Sequence, residues 1–225
     1  MKKILIIIIV LLSSNVLAHM DHYKKFNKIE MDVLRNGEII GYNYYFFTRK
    51  NDETIVTNQI KFSVKILGTT IFQVEGYGEE KYFKDQLVSY VSKTLQNDKE
   101  KFVNLVFDKD ENKFNIKGSS YSGEASSDNI VGNWWSHKIL QTNSQISPVS
   151  GSIKEQVVTF IGKEKIEQNG QTFEADHFKL KSKDMSLPKD KRLDFDIWFD
   201  KESSMIVRVS YSRMGNWEYR LKNFK

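Results

Sequence analysis

The chain has 225 residues, of which 40% are hydrophobic and 28% are charged, a composition typical of a globular protein with a substantial core. It contains no cysteine, which excludes disulfide bonds, thiol catalysis and cysteine-based zinc sites. The formal net charge is only +5 and the lysines are dispersed among acidic residues, so the sequence predicts no nucleic-acid partner.

The N-terminus has the three zones of a secretory signal peptide. Lys2 and Lys3 precede an apolar run at residues 4–12, and a polar stretch then ends in small residues at Ala18. The apolar run is too short to cross a bilayer, so we expect no stable membrane span in the mature chain. The sequence predicts a signal peptide at residues 1–18 that is cleaved after Ala18. Residues 19–225 should then form a single β-rich domain that is periplasmic or otherwise exported.

Alternating apolar and polar residues, separated by turn residues, dominate the chain after the predicted signal peptide. Residues 60–66 alternate cleanly, and Asn-Gly pairs at 36–37 and 169–170 favour tight hairpin turns because both residue types tolerate positive φ. Two glycines within 76–78 indicate a bend of the kind that curls a sheet. The pattern predicts an all-β fold, a strongly curved antiparallel sheet or incomplete β-barrel of about ten to twelve strands.

Residues 126–151 interrupt this rhythm. Within them Trp135, Ile139 and Leu140 are spaced as on one face of a helix, which predicts one short helical insertion. Trp134 and Trp135 are adjacent, so they cannot both point into one buried face. One of the two rings is therefore expected to face solvent or a ligand, and the segment is expected to act as a lid.

The most regular hairpin covers residues 193–211. A register that keeps its apolar side chains on one face pairs Phe199 with Met205, Ile197 with Val207, Phe195 with Val209 and Leu193 with Tyr211. The same register puts Asp196 opposite Arg208 and leaves residues 201–203 as the turn. Trp198 lies on the other face, where we expect it to line a cavity if the sheet curls.

Several of these features occur in an order that resembles a known family. They are Asn36-Gly37, Trp134-Trp135, Gly151, the stretch from Ile161-Gly162 through Asn169-Gly170 to Leu180, and Trp198-Phe199-Asp200. The order resembles an uncharacterised family of exported bacterial β-proteins, a domain of unknown function. More distantly, it is similar to the half-open β-barrels of periplasmic carriers of the LolA and LppX kind. That resemblance implies an apolar concavity for acyl chains beneath a small helical lid, and it brings no catalytic residues with it.

Motifs for enzymatic chemistry are absent from the sequence. There is no GxSxG nucleophile motif, no phosphate-binding glycine loop and no HExxH zinc motif, so we predict a protein that is not an enzyme and needs no cofactor or metal. Asp194, Asp196 and Asp200 lie on one strand face and allow a glycosidase-like carboxylate pair, but a solvated face with cross-strand ion pairs is the favoured interpretation.

Histidine offers a remote alternative. Cleavage after Ala18 would leave His19 as the amino terminus, and His22, His137 or His177 would supply a second imidazole for copper. The first two histidines precede the first strand, in a stretch where chain ends are usually mobile, so a preorganised copper site is disfavoured.

The sequence thus predicts a non-enzymatic binder or carrier of a lipid or another apolar or amphipathic molecule in the cell envelope. The candidate ligand-binding residues are Trp134, Trp135 and Trp198. Two alternatives stay open. One is an outer-membrane β-barrel, suggested by strand alternation and by the aromatic Phe224 near the C-terminus. The other is a structural or interaction module that uses its sheet edges.

Overall fold

The computed structural model describes residues 23–225. The predicted signal peptide, its cleavage site, His19 and His22 lie outside the described residues. The described chain is almost entirely β-structure, and it contains one turn of 3-10 helix at His137–Leu140 and another at Lys189–Lys191. The strands are β1 (Lys28–Arg35), β2 (Glu38–Lys50), β3 (Glu53–Ile66), β4 (Thr69–Phe83), β5 (Gln86–Gln96), β6 (Lys99–Asp108), β7 (Lys113–Gly118), β8 (Ser122–Ser126), β9 (Ile130–Val131), β10 (Ser144–Ile146), β11 (Ile153–Gln168), β12 (Gln171–Ser182), β13 (Asp194–Asp200), β14 (Met205–Ser212) and β15 (Asn216–Phe224).

The strands form a single 15-stranded sheet in the order β8-β7-β6-β5-β4-β3-β2-β1-β15-β14-β13-β12-β11-β10-β9. Every neighbouring pair is antiparallel except β9 and β10, which are parallel. The two edge strands, β8 and β9, are not paired with each other, yet only residues 127–129 separate them. Because four Cα–Cα steps reach at most ~14 Å, the sheet must curl until its edges come close. It is a strongly curved but open sheet.

The all-β prediction is confirmed, whereas the count of ten to twelve strands was too low. The missed strands include β9 and β10, with two and three residues, inside the segment that was interpreted as an insertion. Strands this short carry no measurable alternation. The expected helix is reduced to the single 3-10 turn at His137–Leu140, which begins after Trp135.

Tight turns join most neighbouring strands, and many of them need a residue with positive φ. Asparagine fills that position in five turns, at Asn36, Asn51, Asn97, Asn112 and Asn169. The same conformation occurs at Leu67, Lys84, Ser204 and Met214. Since neighbouring strands are antiparallel, the turns alternate between two ends of the sheet. We term the end that carries the β1–β2, β3–β4 and β14–β15 turns the upper end.

The concave face of the sheet holds the core. Trp135 is in edge contact with the rings of Tyr23, Phe47 and Tyr82, at centroid distances of 5.0, 5.4 and 6.0 Å. A second cluster lies nearer the upper end and contains Val33, Phe62, Val64, Val74 and Trp217. A third contains Ile139, Leu180, Ile197, Ile206 and Val209. Residues 130–149 cross this concave face and fill much of it.

The register predicted for the β13–β14 hairpin is wrong. Ile197 pairs with Val209 and Phe199 with Ile206, and the register shifts between Trp198 and Phe199, so that Val207 has no cross-strand partner. The physical cause is the turn, which has four residues instead of three. Asp200 accepts hydrogen bonds from the backbone and hydroxyl of Ser203 at 2.8 and 2.6 Å, which fixes this longer turn. Ile197 and Val207 are nevertheless both buried, as expected.

The shifted register also separates the predicted charge pair. Asp196 lies opposite Ser210, while Arg208 lies opposite Trp198. Arg208 forms an ion pair with Glu218 at 3.0 Å, and Asp196 instead contacts Lys179 at 2.8 Å.

Candidate functional site

A polar layer crosses the concave face between its apolar ends. It is formed by inward-facing side chains of β2 to β5, namely Asn43, Tyr45, Asn58, Glu80, Tyr90, Ser92 and Thr94. Within it the Asn43 side chain donates to the Tyr45 hydroxyl at 2.9 Å, and the Asn58 side chain donates to Oδ1 of Asn43 at 2.6 Å. Buried polar groups are usually hydrogen-bonded, and Asn43, Tyr45 and Asn58 form one such chain of hydrogen bonds.

Glu80 is the centre of this layer and is only 3% exposed. Its carboxylate accepts hydrogen bonds from the Tyr82 hydroxyl at 2.5 Å, from the Asn133 amide at 2.9 Å and from the Trp135 indole at 2.9 Å. Burial raises the pKa of Glu80 to about 7, because the three donors offset only part of the desolvation of the charged form. Two of those donors belong to the crossing segment, so Glu80 ties residues 133–135 to the sheet.

Further hydrogen bonds hold the crossing segment. The Tyr45 hydroxyl accepts from the backbone N–H of Trp134 at 3.2 Å. The carbonyl of Pro148 accepts from the hydroxyls of Tyr90 and Ser92, at 3.0 and 2.7 Å. Residues 133–148 are thus hydrogen-bonded to β2, β4 and β5 at several points. These bonds fix the position of the segment on the sheet.

An apolar cavity of about 440 Å³ lies beside this segment, toward the upper end of the sheet. Its walls include Phe62, Val64, Phe72, Val74 and Trp217. Arg35 and Arg213 stand at its rim, where the strands end in the β1–β2 and β14–β15 turns. Its size falls within the range of small-molecule sites, which are mostly apolar with a few polar groups at defined places.

Two further spaces adjoin the apolar cavity. One is a chamber of about 140 Å³ that we term the polar chamber, because its lining includes Asn58 and Glu80 of the polar layer. The other is an outer vestibule of about 810 Å³ that opens between residues 185–195 and the β14–β15 turn. Tyr219 lines all three spaces. Burial raises the pKa of Tyr219 to about 12, and its hydroxyl is hydrogen-bonded to that of Tyr211. A ligand in the apolar cavity would therefore find hydrogen-bonding groups at its inner end.

The comparisons with known proteins agree with this architecture. The model of the family described as a domain of unknown function, DUF6134, matches residues 31–222. The chain belongs to this family. The match confirms the resemblance to an uncharacterised family of β-proteins, and it assigns no activity to the DUF6134 fold.

A solved structure with the same fold is that of a β-barrel-like protein of another domain of unknown function, DUF1849, from Brucella abortus. The alignment covers 88% of this chain and 96% of that one, with a TM-score of 0.59 and 8% sequence identity. At this identity the likeness concerns the fold alone. No curated protein matches the chain. No helix within residues 23–225 of this DUF6134 chain is long and apolar enough to cross a membrane.

The three candidate tryptophans occupy different environments in the DUF6134 fold. Trp134 lines the vestibule and the polar chamber and packs against Phe195 at a centroid distance of 5.2 Å. Trp135 is 1% exposed and belongs to the aromatic core. The sheet register places Trp198 on the same face as Asp196, away from these spaces. Its ring stacks on His177 at 4.5 Å, with the Arg208 guanidinium 5.0 Å away. Of the three candidates, Trp134 is therefore the one that lines the spaces described above.

A polar network surrounds Trp198 on that face. Glu164 accepts from the Trp198 indole at 2.8 Å and contacts Nδ1 of His177 at 2.7 Å, while Asp196 contacts Nε2 of His177 at 2.9 Å. Lys179 pairs with both Asp194 and Asp196. The strand carboxylates therefore serve ion pairs and, at Asp200, a turn. Within residues 23–225 no three His, Asp or Glu side chains are grouped as a metal site would require.

Sequence reasoning missed Glu80 and the polar layer. A detectable pattern existed, since Val74, Gly76, Gly78, Glu80 and Tyr82 share one strand face by alternation. A carboxylate in that series is a charge on the inward face. The glycine at 78 makes room for an aromatic ring, because a Cβ there would lie 3.0 Å from the Tyr90 hydroxyl oxygen.

Proposed function

We propose that the protein is an exported, non-enzymatic binder or carrier of an apolar or amphipathic molecule in the cell envelope. The observation that carries this proposal is the apolar cavity of about 440 Å³, which opens at the upper end and is walled by aromatic and β-branched side chains. Transfer of an alkyl chain from water into such a space is favourable by ~0.8 kcal/mol for each buried methylene.

The surroundings of the cavity favour an amphipathic ligand over a purely apolar one. Arg35 and Arg213 at the rim offer positive charge for a polar head. Around Tyr219 the apolar cavity adjoins the outer vestibule, whose margin carries Lys154, Lys181 and Arg192. A single apolar chain would lie among Phe62, Phe72 and Trp217 while its head stays near the basic rim.

The hydrogen bonds that hold the crossing segment on the sheet support a role in binding. Trp134 contributes its ring to the vestibule, and its backbone is held by Tyr45. The segment therefore forms one wall of the binding space and is anchored to the opposite wall through Glu80 and Tyr45. Such a wall is preorganised, which lowers the entropy cost of binding.

Copurifying lipid tests the proposal directly. Protein recovered under mild conditions from the exported fraction should carry an apolar compound detectable by mass spectrometry. After delipidation, adding a fatty acid should shift tryptophan emission to the blue, because Trp134 and Trp217 line the binding space.

A cavity-filling variant sharpens the test. Ile60→Trp places an indole where the apolar cavity meets the polar chamber, so it should abolish the fatty-acid response. The matched control is Val91→Trp, on an exposed position of β5, which should bind as the wild type does. If no apolar compound copurifies and no apolar ligand changes the emission of the wild type, the proposal fails.

A further inference from the structure

Two turns at the upper end place a large apolar residue at a position of positive φ. Where five hairpins place asparagine at positive φ, the β3–β4 turn has Leu67 at a φ of 49° and the β14–β15 turn has Met214 at 50°. A branched or long apolar side chain is disfavoured in this conformation, which Asn and Gly adopt readily. The local conformation therefore gives no reason for leucine or methionine at these positions.

Packing gives no reason either. Leu67 is fully exposed, at 101% of its reference surface, and Met214 is 89% exposed. Neither side chain is buried against the rest of the described protein, so neither contributes hydrophobic stabilisation to the fold. Each costs conformational strain and exposed apolar surface at once, a combination that indicates a contact outside the chain.

Both tips stand beside the opening of the apolar cavity. Met214 lines the cavity itself, and Val64 and Ile71, which flank the β3–β4 turn, line it too. Ile66 and Ile39 add further exposed apolar side chains at this end of the sheet. The two tips thus frame the route by which a ligand would enter or leave.

Basic residues flank the two tips. Lys65 precedes Leu67 by two residues, Arg213 precedes Met214, and Arg35 donates to the Met214 carbonyl at 2.6 Å. Within residues 23–225 none of these three cations forms an ion pair with a carboxylate. Glu38, the first residue of β2, is an acidic neighbour, so the upper end is mixed in charge, with basic groups next to the apolar tips.

We propose that the upper end docks on a lipid bilayer surface, with Leu67 and Met214 inserted among the acyl chains and Lys65, Arg35 and Arg213 against anionic head groups. A bilayer fits better than a protein partner because the apolar side chains are two projecting tips on separate turns, not a continuous face of the size that a stable protein interface buries. Insertion would place the cavity opening against the membrane. The docking surface does not depend on the cavity being occupied.

The test uses asparagine, which suits the backbone of both turns. Leu67→Asn, Met214→Asn and the double variant, all in the chain from His19 onward, are compared in flotation with vesicles of phosphatidylethanolamine and phosphatidylglycerol. Each substitution should weaken vesicle binding at least about tenfold, and their effects should multiply in the double variant. The midpoint of thermal unfolding should stay the same or rise, because asparagine relieves the strained conformation.

The matched control is Lys84→Asn in the β4–β5 turn, which has the same backbone conformation at a φ of 53° on the opposite end. It should leave vesicle binding unchanged, and vesicles of phosphatidylcholine alone should bind the wild type more weakly than the anionic mixture does. The inference is overturned if the wild type binds neither vesicle, or if the double asparagine variant floats with the vesicles as the wild type does. Equal losses in the Lys84→Asn control would also overturn it.

Discussion

The indole Nε1 of Trp135 donates to Oε1 of Glu80 over 2.9 Å, at the centre of the concave face. Trp135 belongs to the segment that crosses the sheet, whereas Glu80 belongs to the sheet itself. The position of the crossing segment is therefore coupled to the protonation of Glu80. That coupling makes the stability of the fold depend on pH in a defined direction.

The pH dependence of Glu80 can be measured through Glu80→Gln. Burial raises the pKa of Glu80 from 4.5 to about 7, so the folded state keeps a proton that the unfolded state has lost. Its contribution to stability is therefore full below pH 4.5 and decreases as the pH rises to about 7, by about 3 kcal/mol. Between about pH 4 and about pH 8, the unfolding free energy of Glu80→Gln should rise relative to the wild type by that amount, as measured by urea denaturation.

The neighbouring residue is the control for this experiment. Glu79 points to the other face of β4, where its carboxylate contacts Lys81 at 3.6 Å and accepts from the Tyr77 hydroxyl. Glu79→Gln makes the same chemical change on the same strand without touching the buried polar layer, so its unfolding free energy gives the baseline for the comparison. A flat difference between Glu80→Gln and the wild type across this range would mean that Glu80 titrates normally.

The adjacent tryptophans should separate in their effects. Trp135→Ala removes a ring that is 1% exposed and should lower the unfolding free energy by about 3–5 kcal/mol. Trp134 is less buried and lines the vestibule, so Trp134→Ala should destabilise less and should weaken fatty-acid binding. Chemical denaturation and fluorescence titration measure the two quantities. If both substitutions lower the unfolding free energy equally and neither changes the affinity for fatty acid, both rings are core residues that do not contact the ligand.

Trp198 should behave differently from Trp134. Its indole donates to Glu164, stacks on His177 and lies near the Arg208 guanidinium, away from the cavities. Trp198→Ala should therefore leave ligand affinity unchanged while it lowers the unfolding free energy by about 3 kcal/mol or more. If Trp198→Ala remains folded but binds fatty acid more weakly than the wild type, Trp198 belongs to the binding site.

The β13–β14 register predicts a pattern of couplings. Ile197→Ala should cost about 2–5 kcal/mol because Ile197 is fully buried, and Asp194→Ala should cost under about 1 kcal/mol because its ion pair is exposed. A double-mutant cycle should give a coupling of a few tenths to about 1 kcal/mol for Asp196 with Lys179, and close to zero for Asp196 with Arg208. A larger coupling for Asp196 with Arg208 than for Asp196 with Lys179 would support the register that the sequence predicts.

Much of the fold could be predicted because its information is local. The Asn-Gly pairs at 36–37 and 169–170 form the expected turns, and residues 60–66 lie in β3 with Phe62 and Val64 buried. Alternation identifies a strand only when the strand itself has enough residues to show the pattern. It does not reveal β9, which has two residues and exists only because β10 lies beside it.

The candidate site was less predictable because its parts come from distant strands. Trp134 was identified from its adjacency to Trp135, but the cavity needs Phe62, Phe72 and Trp217 to meet across the curved sheet. The register error has a similar origin. The Asp200 side chain stabilises a four-residue turn, which shifts the pairing near the turn by one residue from the register that the hydrophobic pattern predicts. The bulge at Val207 keeps the apolar side chains of β14 buried despite this shift.

The position of β15 in the sheet has a consequence for folding. The last strand pairs with β1, and it stands between β14 and β1, so Phe224 meets Ile29 from almost the other end of the chain. Contacts of such sequence separation form slowly, and until they form both β1 and β14 present unpaired edges that invite aggregation. Synthesis of the first fourteen strands therefore cannot complete the sheet. The two halves of the sheet are joined only when residues 216–224 pair with both β1 and β14.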